Sequence, residues 1–192
     1  MQELKDRIIA EGRVLPGNII KVDGFLNHRI DTTLMSHIAE EFGKLFDMNE
    51  VSVILTAEAS GIALSAVVAQ HFGKPMIFAK KAKSDNIEGG LYRSDIYSYT
   101  YKKKVTLLVA KDWLSAEDKV LIIDDFMANG EAMRGLIDIV TAAGATLVGI
   151  GCAVEKGFQG GGDRLRAAGM NLKSLAIIES AEPGNIVFRE EQ

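Results

Sequence analysis

The sequence contains almost no cysteine and no long apolar run. Cys152 is the only cysteine, so no disulfide bond can form within the chain, and its place in the apolar run 147–154 predicts a small buried side chain. No apolar stretch approaches the length that a bilayer span requires, and residues 1–7 lack the apolar core of a signal peptide. We therefore expect a cytoplasmic protein with no membrane partner.

The sequence also lacks an excess of positive charge. It has 22 Lys and Arg against 26 Asp and Glu, a formal net charge of −4, so its surface does not favour nucleic acid as a partner. His28, His37 and His71 form no convincing metal or nucleophile pattern, and no Ser-His-Asp arrangement is indicated. The 192 residues, 47% hydrophobic and 25% charged, are sufficient for one soluble domain with a full core.

The most informative segment is residues 120–132, Val-Leu-Ile-Ile-Asp-Asp-Phe-Met-Ala-Asn-Gly-Glu-Ala. Its apolar start is typical of a parallel strand covered on both faces. Asp124 and Asp125 are predicted to end this strand on opposite sides, where they suit sugar hydroxyls or a hard cation better than a shared proton. A helix is predicted from about Glu131 to before Gly144, and the small-residue loop leaves its first N–H groups free to hold phosphate. The segment therefore predicts a site for a phosphorylated sugar.

The rest of the chain alternates apolar runs with helical patterns. Helices are predicted at residues 2–11, 33–46 and 61–72 and around 165–168, and strands at 18–22, 51–56, 76–79, 147–154 and 175–178. Residues 25–30 and the charged stretch 81–91 are predicted as loops, and residues 96–100 and 105–110 as an antiparallel hairpin.

This order predicts an α/β fold with a mainly parallel twisted sheet flanked by helices. In such sheets ligands bind beyond the carboxyl ends of the strands. The strand ends at Thr56, Asp124 and Val154 should therefore open on one edge and form one site.

Three further segments follow predicted strands. Ser60 and Gly61 begin a helix whose amides can face an anionic group, and residues 80–83 begin a charged loop that contains three lysines. Lys156 can donate to a carbonyl oxygen, and Phe158 can offer a ring face to a planar base. Each segment also has an ordinary interpretation, namely a plain helix turn, a solvated lysine cluster and an exposed charge at a strand end.

Residues 120–132 resemble the phosphoribosyl diphosphate (PRPP) motif of the type I phosphoribosyltransferases, which joins a hydrophobic strand, an acidic pair, a small-residue loop and a helix. That family usually has Thr where Asn129 stands and Thr or Ser where Ala132 stands, whereas an Ala-Asn-Gly-x-Ala loop is similar to its xanthine-specific branch. The resemblance runs over essentially the whole chain. It implies one domain over residues 1–192, with a core at about 33–180, a small hood from about 1–32 plus the C-terminal segment, and a flexible β-hairpin flap.

The resemblance implies transfer of a 5-phosphoribosyl group from PRPP to N9 of xanthine in purine salvage, with Mg²⁺ and in a homodimer. Asp124 and Asp125 would be the catalytic pair, holding the ribose hydroxyls and, directly or through water, Mg²⁺. The implied PRPP-binding residues are Ala128, Asn129, Gly130, Glu131, Ala132, Ser60, Gly61 and Lys81. The implied base-binding residues are Ile20, Asn27, Lys156 and Phe158. Because a carboxylate repels a bound phosphate, we expect the Glu131 side chain to point to solvent.

Two alternatives remain open at this stage. A guanine or hypoxanthine phosphoribosyltransferase is not excluded by the PRPP motif alone. A non-catalytic regulator that senses PRPP is less favoured, because such proteins normally carry a fused DNA-binding domain and the stretch before residue 33 is too short for a winged helix.

Overall fold

The computed structural model describes residues 1–81, 90–98 and 103–190 of the chain. Its helices are α1 (Gln2–Glu11), α2 (Thr32–Leu45), α3 (Ser60–Phe72), α4 (Glu131–Ala143) and α5 (Gly161–Ala167). Its strands are β1 (Arg13–Leu15), β2 (Ile19–Lys21), β3 (Val53–Ala57), β4 (Met76–Ala79), β5 (Leu91–Ser98), β6 (Lys103–Ala110), β7 (Lys119–Met127), β8 (Thr146–Lys156), β9 (Leu172–Glu182) and β10 (Asn185–Phe188). Within these ranges, no helix combines the length and apolar character of a membrane span.

Six of the strands form one sheet in the order β10-β9-β8-β7-β3-β4. All neighbours pair in parallel except β9 and β10, which are antiparallel at the edge. The strands β5 and β6 form a separate antiparallel ribbon, and β1 and β2 form another. The predicted α/β fold with a mainly parallel sheet and a β-hairpin is confirmed.

Two hydrophobic clusters lie on opposite faces of the sheet, and strand β7 contributes to both. Leu121 and Ile123 belong to the cluster that contains the apolar side chains of α1, α2 and α3. Val120 and Ile122 belong to the cluster that contains those of α4 and the β5-β6 hairpin. The side chains of an extended strand alternate between faces, so a continuous apolar run fits a strand that is covered twice. Cys152 lies fully buried in the second cluster, as predicted.

Strand β7 is longer than the sequence indicated. The prediction that Asp124 and Asp125 end it is wrong, because the strand continues to Met127. Phe126 pairs with Val154 in the parallel ladder with β8, and the side chain of Met127 is buried. The acidic pair therefore belongs to the sheet itself and not to the loop that follows.

The N-terminal segment is more regular than predicted. The strand expected at residues 18–22 is β2, but its partner β1 was not predicted. The expected loop 25–30 is confirmed only after residue 27, because residues 25–27 belong to a π-helical turn over Asp23–Asn27. This turn buries Phe25 in the cluster beneath α2. The edge strand β10 was also not predicted.

The first strand of the predicted hairpin begins at Leu91, five residues earlier than expected. The predicted loop 81–91 and the predicted strand 96–100 include residues 82–89, 99 and 100, which lie outside the described residues. The flexibility of the flap therefore stays a prediction.

Helix α2 packs against the sheet where strand β8 has no side chain. Phe42 is completely buried, and a Cβ atom added to Gly151 would lie 2.8 Å from its Cε1 atom. The same Cβ atom would lie 2.6 Å from Cδ1 of Ile123 on the neighbouring strand. The helix approaches this closely because position 151 carries only hydrogen.

We predict that Gly151→Ala lowers the free energy of unfolding by about 1–3 kcal/mol, because the added methyl group overpacks a filled core. Urea denaturation of the two proteins measures this difference. Gly24→Ala is the matched control, because nothing lies within 4 Å of a Cβ atom at Gly24. Equal losses for the two variants would contradict the close packing of α2 on β8.

Candidate active site

Two buried carboxyl groups lie near the end of the central strand β7. Asp124 is 6% exposed and Asp125 is 1% exposed, and the Asp125 N–H donates to Oδ1 of Asp124 over 3.1 Å. Asp124 contacts the start of helix α3, where a Cβ atom on Gly61 would lie 2.4 Å from its Oδ1 atom. Asp125 contacts the N-terminal segment instead, because its Oδ2 atom accepts a hydrogen bond from Nδ2 of Asn27 over 2.8 Å. The two neighbours thus join different parts of the chain.

Burial raises the pKa of Asp124 well above its ordinary value, and the negative charge of Asp125 raises it further. The positive charge of Lys81 acts in the opposite direction. The hydroxyl oxygen of Thr56 is buried nearby with no hydrogen-bond partner among the described residues, and it would lie 2.2 Å from a Cβ atom at Gly61. Such a set of oxygen atoms is suited to a ligand that brings hydroxyl donors or a cation.

The acidic pair also fits Mg²⁺. In the part of the chain that the structure describes, no group of three or more His, Cys, Asp and Glu side chains can hold a metal by itself. Magnesium sites often use only one or two carboxylates, together with water and the phosphates of a substrate. Asp124 and Asp125 therefore fit a cation that is held jointly with a phosphorylated substrate.

The loop between β7 and α4 is supported from behind by helix α5. Gly130 has a φ of +80°, which favours glycine, and helix α4 begins directly after it. A Cβ atom on Gly161 would lie 2.4 Å from the carbonyl oxygen of Ala128, so only glycine permits this contact. Nη2 of Arg164 donates to the carbonyl oxygen of Asn129 over 3.1 Å. These contacts hold the loop in front of the first turn of α4, whose N–H groups have no partner within the helix.

A pocket of about 260 Å³ opens between this loop, Asp124 and the β5 strand. Seven of the eight residues predicted to bind PRPP line it, namely Ser60, Lys81, Ala128, Asn129, Gly130, Glu131 and Ala132. Asp124 lines it as well, whereas Gly61 lies behind Asp124. The structure therefore brings three distant segments of the chain to one cavity.

Glu58 connects two of these segments, and the sequence analysis gave it no role. Its Oε1 atom accepts a hydrogen bond from the backbone N–H of Lys81 over 2.5 Å, and its own N–H donates to Ala79 over 3.0 Å. The peptide bond between Glu58 and Ala59 is cis. The loop after β3 thus holds the backbone that carries Lys81. In the sequence, the position of the Glu58 carboxylate directly after a buried strand could have indicated this role.

The expectation that the Glu131 side chain points to solvent is wrong, because its carboxylate is directed to strand β5 and to Arg134. Its Oε2 atom accepts hydrogen bonds from the Tyr97 N–H over 3.3 Å and from Nη2 of Arg134 over 3.2 Å. The hydrogen bond from Arg134 lowers the pKa of Glu131. The guanidinium one helical turn away offsets the negative charge, so the carboxylate can remain beside an anion site.

The four residues predicted to bind the base do not line this pocket. Asn27 is joined to it through Asp125, as described above. Nζ of Lys156 donates to the carbonyl oxygen of Asn18 over 3.2 Å and lies 5.4 Å from the centre of the Phe126 ring. Burial lowers the pKa of Lys156. Phe126, which was not predicted, lines the pocket and connects it to Lys156. In the sequence, its position directly after the acidic pair could have indicated that it belongs to the site.

The other two base-binding predictions lie in the core. Ile20 is buried in the cluster around α2, and Phe158 is half-buried against the same cluster. Neither residue lines the described pocket.

The residue before Lys156 is also structurally important. Glu155 is completely buried, and its carboxylate accepts hydrogen bonds from Nη2 and Nη1 of Arg166 over 2.6 and 3.0 Å. The hydroxyl of Ser174 donates to the same group over 2.5 Å. A Cβ atom on Gly162 would lie 2.0 Å from Oε1 of Glu155, so α5 approaches the carboxylate closely. This network holds the end of β8, and sequence reasoning missed it.

The parallel sheet, the buried acidic pair and the small-residue loop before a helix are the fold and site of a phosphoribosyl-transferring enzyme. A family model described as phosphoribosyl transferase domain matches residues 27–167. Xanthine phosphoribosyltransferase of Bifidobacterium longum is 54% identical over 192 residues, 98% of this chain and 100% of that protein. Xanthine phosphoribosyltransferase of Lachnoclostridium phytofermentans is 52% identical over 98% of each chain. The chain therefore belongs to the phosphoribosyl transferase family and, within it, to the xanthine phosphoribosyltransferases.

Solved structures share the fold at much lower identity. The adenine phosphoribosyltransferase of Giardia lamblia, in complex with 9-deazaadenine, is 21% identical and has a TM-score of 0.78 over 93% of this chain and 98% of that chain. The enzyme of Trypanosoma brucei is 19% identical, with a TM-score of 0.73 over 91% of this chain and 78% of that chain. These similarities concern the arrangement of the sheet and helices.

We predict that Arg166→Met lowers the free energy of unfolding by about 3–5 kcal/mol, because it leaves the buried Glu155 carboxylate without its guanidinium. The double variant Glu155→Gln with Arg166→Met should show a smaller decrease in the free energy of unfolding, since it leaves no unpaired charge buried. Urea denaturation measures both. Lys119→Met, which breaks the exposed pair with Glu50, is the control and should have a much smaller effect. A single variant as stable as the double variant would contradict this account.

Proposed function

We propose that this protein transfers the 5-phosphoribosyl group of PRPP to N9 of xanthine, giving xanthosine monophosphate and pyrophosphate. The observation that carries the donor half is the buried pair Asp124 and Asp125 beside a pocket closed by residues 128–132. The acceptor half is supported by relatives named xanthine phosphoribosyltransferase, which are 54% and 52% identical over nearly the whole chain.

The acidic pair would hold the ribose. As pyrophosphate leaves, positive charge develops at the anomeric carbon, and carboxylates fixed nearby stabilise that charge without having to reorganise. Asp124 borders the pocket, and Asp125 is held by the amide of Asn27. No covalent nucleophile is required, so positioning and electrostatics supply most of the acceleration.

The phosphate groups of PRPP would bind at two helix starts. Residues 128–132 surround the start of α4 and would hold the 5′-phosphate mainly through backbone N–H groups. Ser60 and Gly61 at the start of α3, together with Lys81, would hold the pyrophosphate. Support for this division is that Ser60 and Lys81 border the same pocket as the α4 loop.

We also propose Mg²⁺ as the cofactor. Asp124 and Asp125 would hold it, directly or through water, jointly with PRPP. A bound cation would supply positive charge that offsets the negative charge of the pyrophosphate leaving group. Burial and the neighbouring Asp125 both disfavour the charged form of Asp124, so a cation beside the pair offsets an unfavourable interaction already present in the protein.

The base would bind on the side of Lys156. Its ammonium group can donate to the 6-oxo group of xanthine, and Phe158 and Ile20 would contact the ring. Asn27 would donate to the 2-oxo group. An amide nitrogen carries two N–H groups, so the bond to Asp125 leaves the second for the base. This geometry supports a base site next to the ribose carboxylates.

The proposed assembly is a homodimer, and the proposed location is the cytoplasm. Both rest on the family resemblance and on the sequence. The division into a core over about 33–180 and a hood over about 1–32 plus the C-terminal segment likewise stays a proposal.

Initial rates with xanthine, guanine, hypoxanthine and adenine, each with PRPP and Mg²⁺, test the proposed function. We expect kcat/KM for xanthine to exceed that for each other base by about tenfold or more, the effect of one buried hydrogen bond. A higher kcat/KM for guanine or hypoxanthine would assign the enzyme to that base instead. PRPP binding without turnover of any base would favour a regulator.

We predict that Asp124→Asn combined with Asp125→Asn lowers kcat by about 10³-fold or more, because the developing positive charge loses its fixed counter-charges. Steady-state kinetics at saturating PRPP measure this, and circular dichroism verifies the fold. The control is Asp112→Asn in the exposed turn Lys111–Trp113, which should leave kcat unchanged. Near-normal rates in the double variant would remove the acidic pair from the mechanism.

A further inference from the structure

The start of helix α4 is joined to the backbone of strand β5. The carboxylate of Glu131 accepts a hydrogen bond from the Tyr97 N–H over 3.3 Å, and Nη2 of Arg134 donates to the carbonyl oxygen of Asp95 over 2.8 Å. The two helix residues are also paired with each other over 3.2 Å. The Glu131–Arg134 ion pair on α4 therefore forms hydrogen bonds with one backbone N–H group and one backbone carbonyl oxygen of β5.

The next turn of the helix extends this contact. Nη1 of Arg134 donates to Oδ2 of Asp138 over 2.9 Å. The same oxygen accepts a hydrogen bond from the hydroxyl of Ser94, a buried residue of β5, over 2.8 Å. Arg134 thus occupies the centre of a network that follows β5 for four residues.

A glycine between these residues brings the two elements together. A Cβ atom on Gly135 would lie 2.5 Å from Cγ2 of Ile96 and 2.8 Å from Cδ1 of Leu107. Both side chains are buried in the cluster that α4 shares with the hairpin. The ribbon therefore lies directly on the helix backbone at this point.

The ribbon needs such support, because it is not part of the six-stranded sheet. A bridge connects it to the end of β4, where Lys80 and Leu108 each donate a backbone N–H to the other over 2.9 Å. Two-stranded ribbons are at best marginally stable alone. The position of β5 thus depends on what the ribbon packs against.

That position determines the shape of the candidate active site. Ile96 and Tyr97 of β5 border the same pocket as Asp124 and the α4 loop. A shift of β5 away from α4 would move this wall away from the phosphates of a bound PRPP molecule.

We propose that Glu131 and Arg134 form a clamp that positions the β5 wall of the pocket for PRPP. They are positioning residues, and the Glu131 side chain acts through the Tyr97 backbone and not as a phosphate ligand. The inference rests on the proposed function and names a further pair of residues for it. Arg134 has a second effect in the clamp, because its positive charge offsets the carboxylate next to the phosphate site.

Calorimetric titration of PRPP with Mg²⁺ into four variants tests the clamp. For Arg134→Ala we expect Kd for PRPP to rise about tenfold and for Glu131→Ala about fivefold, the range of one or two lost hydrogen bonds. Glu131→Gln should stay within about twofold, since its amide oxygen still accepts from Tyr97. At saturating PRPP, Arg134→Ala should keep kcat and the KM for xanthine within about threefold of the unaltered protein, because Arg134 neither lines the pocket nor contacts the reacting atoms.

The fourth variant, Glu41→Ala, is the matched control. Glu41 pairs with Lys44 over 2.7 Å with the same spacing along α2, and it does not border the pocket. The change in thermal stability of this variant measures the effect of losing a helix ion pair, and its Kd for PRPP should equal that of the unaltered protein.

Several outcomes would overturn the clamp. One is a folded Arg134→Ala or Glu131→Ala protein that binds PRPP like the unaltered chain, which would make the pair merely structural. Another is a Glu131→Gln protein that binds as weakly as Glu131→Ala, since charge would then matter more than the contact with β5. If the unaltered chain binds PRPP but turns over no xanthine, the proposed function fails, and the order of the Kd values still decides the clamp. An unaltered chain that bound no PRPP would overturn both.

Discussion

The burial of two adjacent carboxyl groups near the end of strand β7 is the constraint on which the rest of the site depends. Asp124 and Asp125 lie inside the protein, where an isolated carboxylate is unfavourable. The surrounding chain is arranged for them, since Gly61 leaves space for one and Asn27 donates to the other. Burial and the charge of Asp125 raise the pKa of Asp124, so the charged form of this carboxyl group is disfavoured. Under the proposed function, a cation and sugar hydroxyls would offset this unfavourable burial.

A second constraint is the close approach of helix α5 to its neighbours. Gly161 lies against the loop of residues 128–130, and Gly162 lies against the carboxylate of Glu155. Both contacts exclude a Cβ atom, so the two glycines let α5 pack against the loop after β7 and against the end of β8. The end of β8, which carries Lys156, and the loop that would hold phosphate thus both pack against the short helix α5. Under the proposed function, a change in either glycine would therefore affect the PRPP site and the base site together.

Much of the fold could be predicted because its signals are local. The apolar run 120–123 indicates a doubly covered strand, and the small residues after it indicate a helix start. The edge strands β1 and β10 were missed because short exposed strands carry little periodicity. Contacts between distant side chains were missed for another reason. The bond from Asn27 to Asp125 joins positions 98 residues apart, and no pattern in the sequence indicates it.

That bond relates base recognition to ribose binding under the proposed function. A carboxylate oxygen accepts hydrogen bonds, so the nitrogen and not the oxygen of the Asn27 amide faces Asp125. The amide orientation is therefore determined by a residue of the acidic pair, whatever base is present. A fixed N–H donor suits the 2-oxo group of xanthine, whereas the 2-amino group of guanine would require the amide to turn and give up its bond to Asp125. Preference for xanthine would then depend on Asp125 as well as on the hood that carries Asn27.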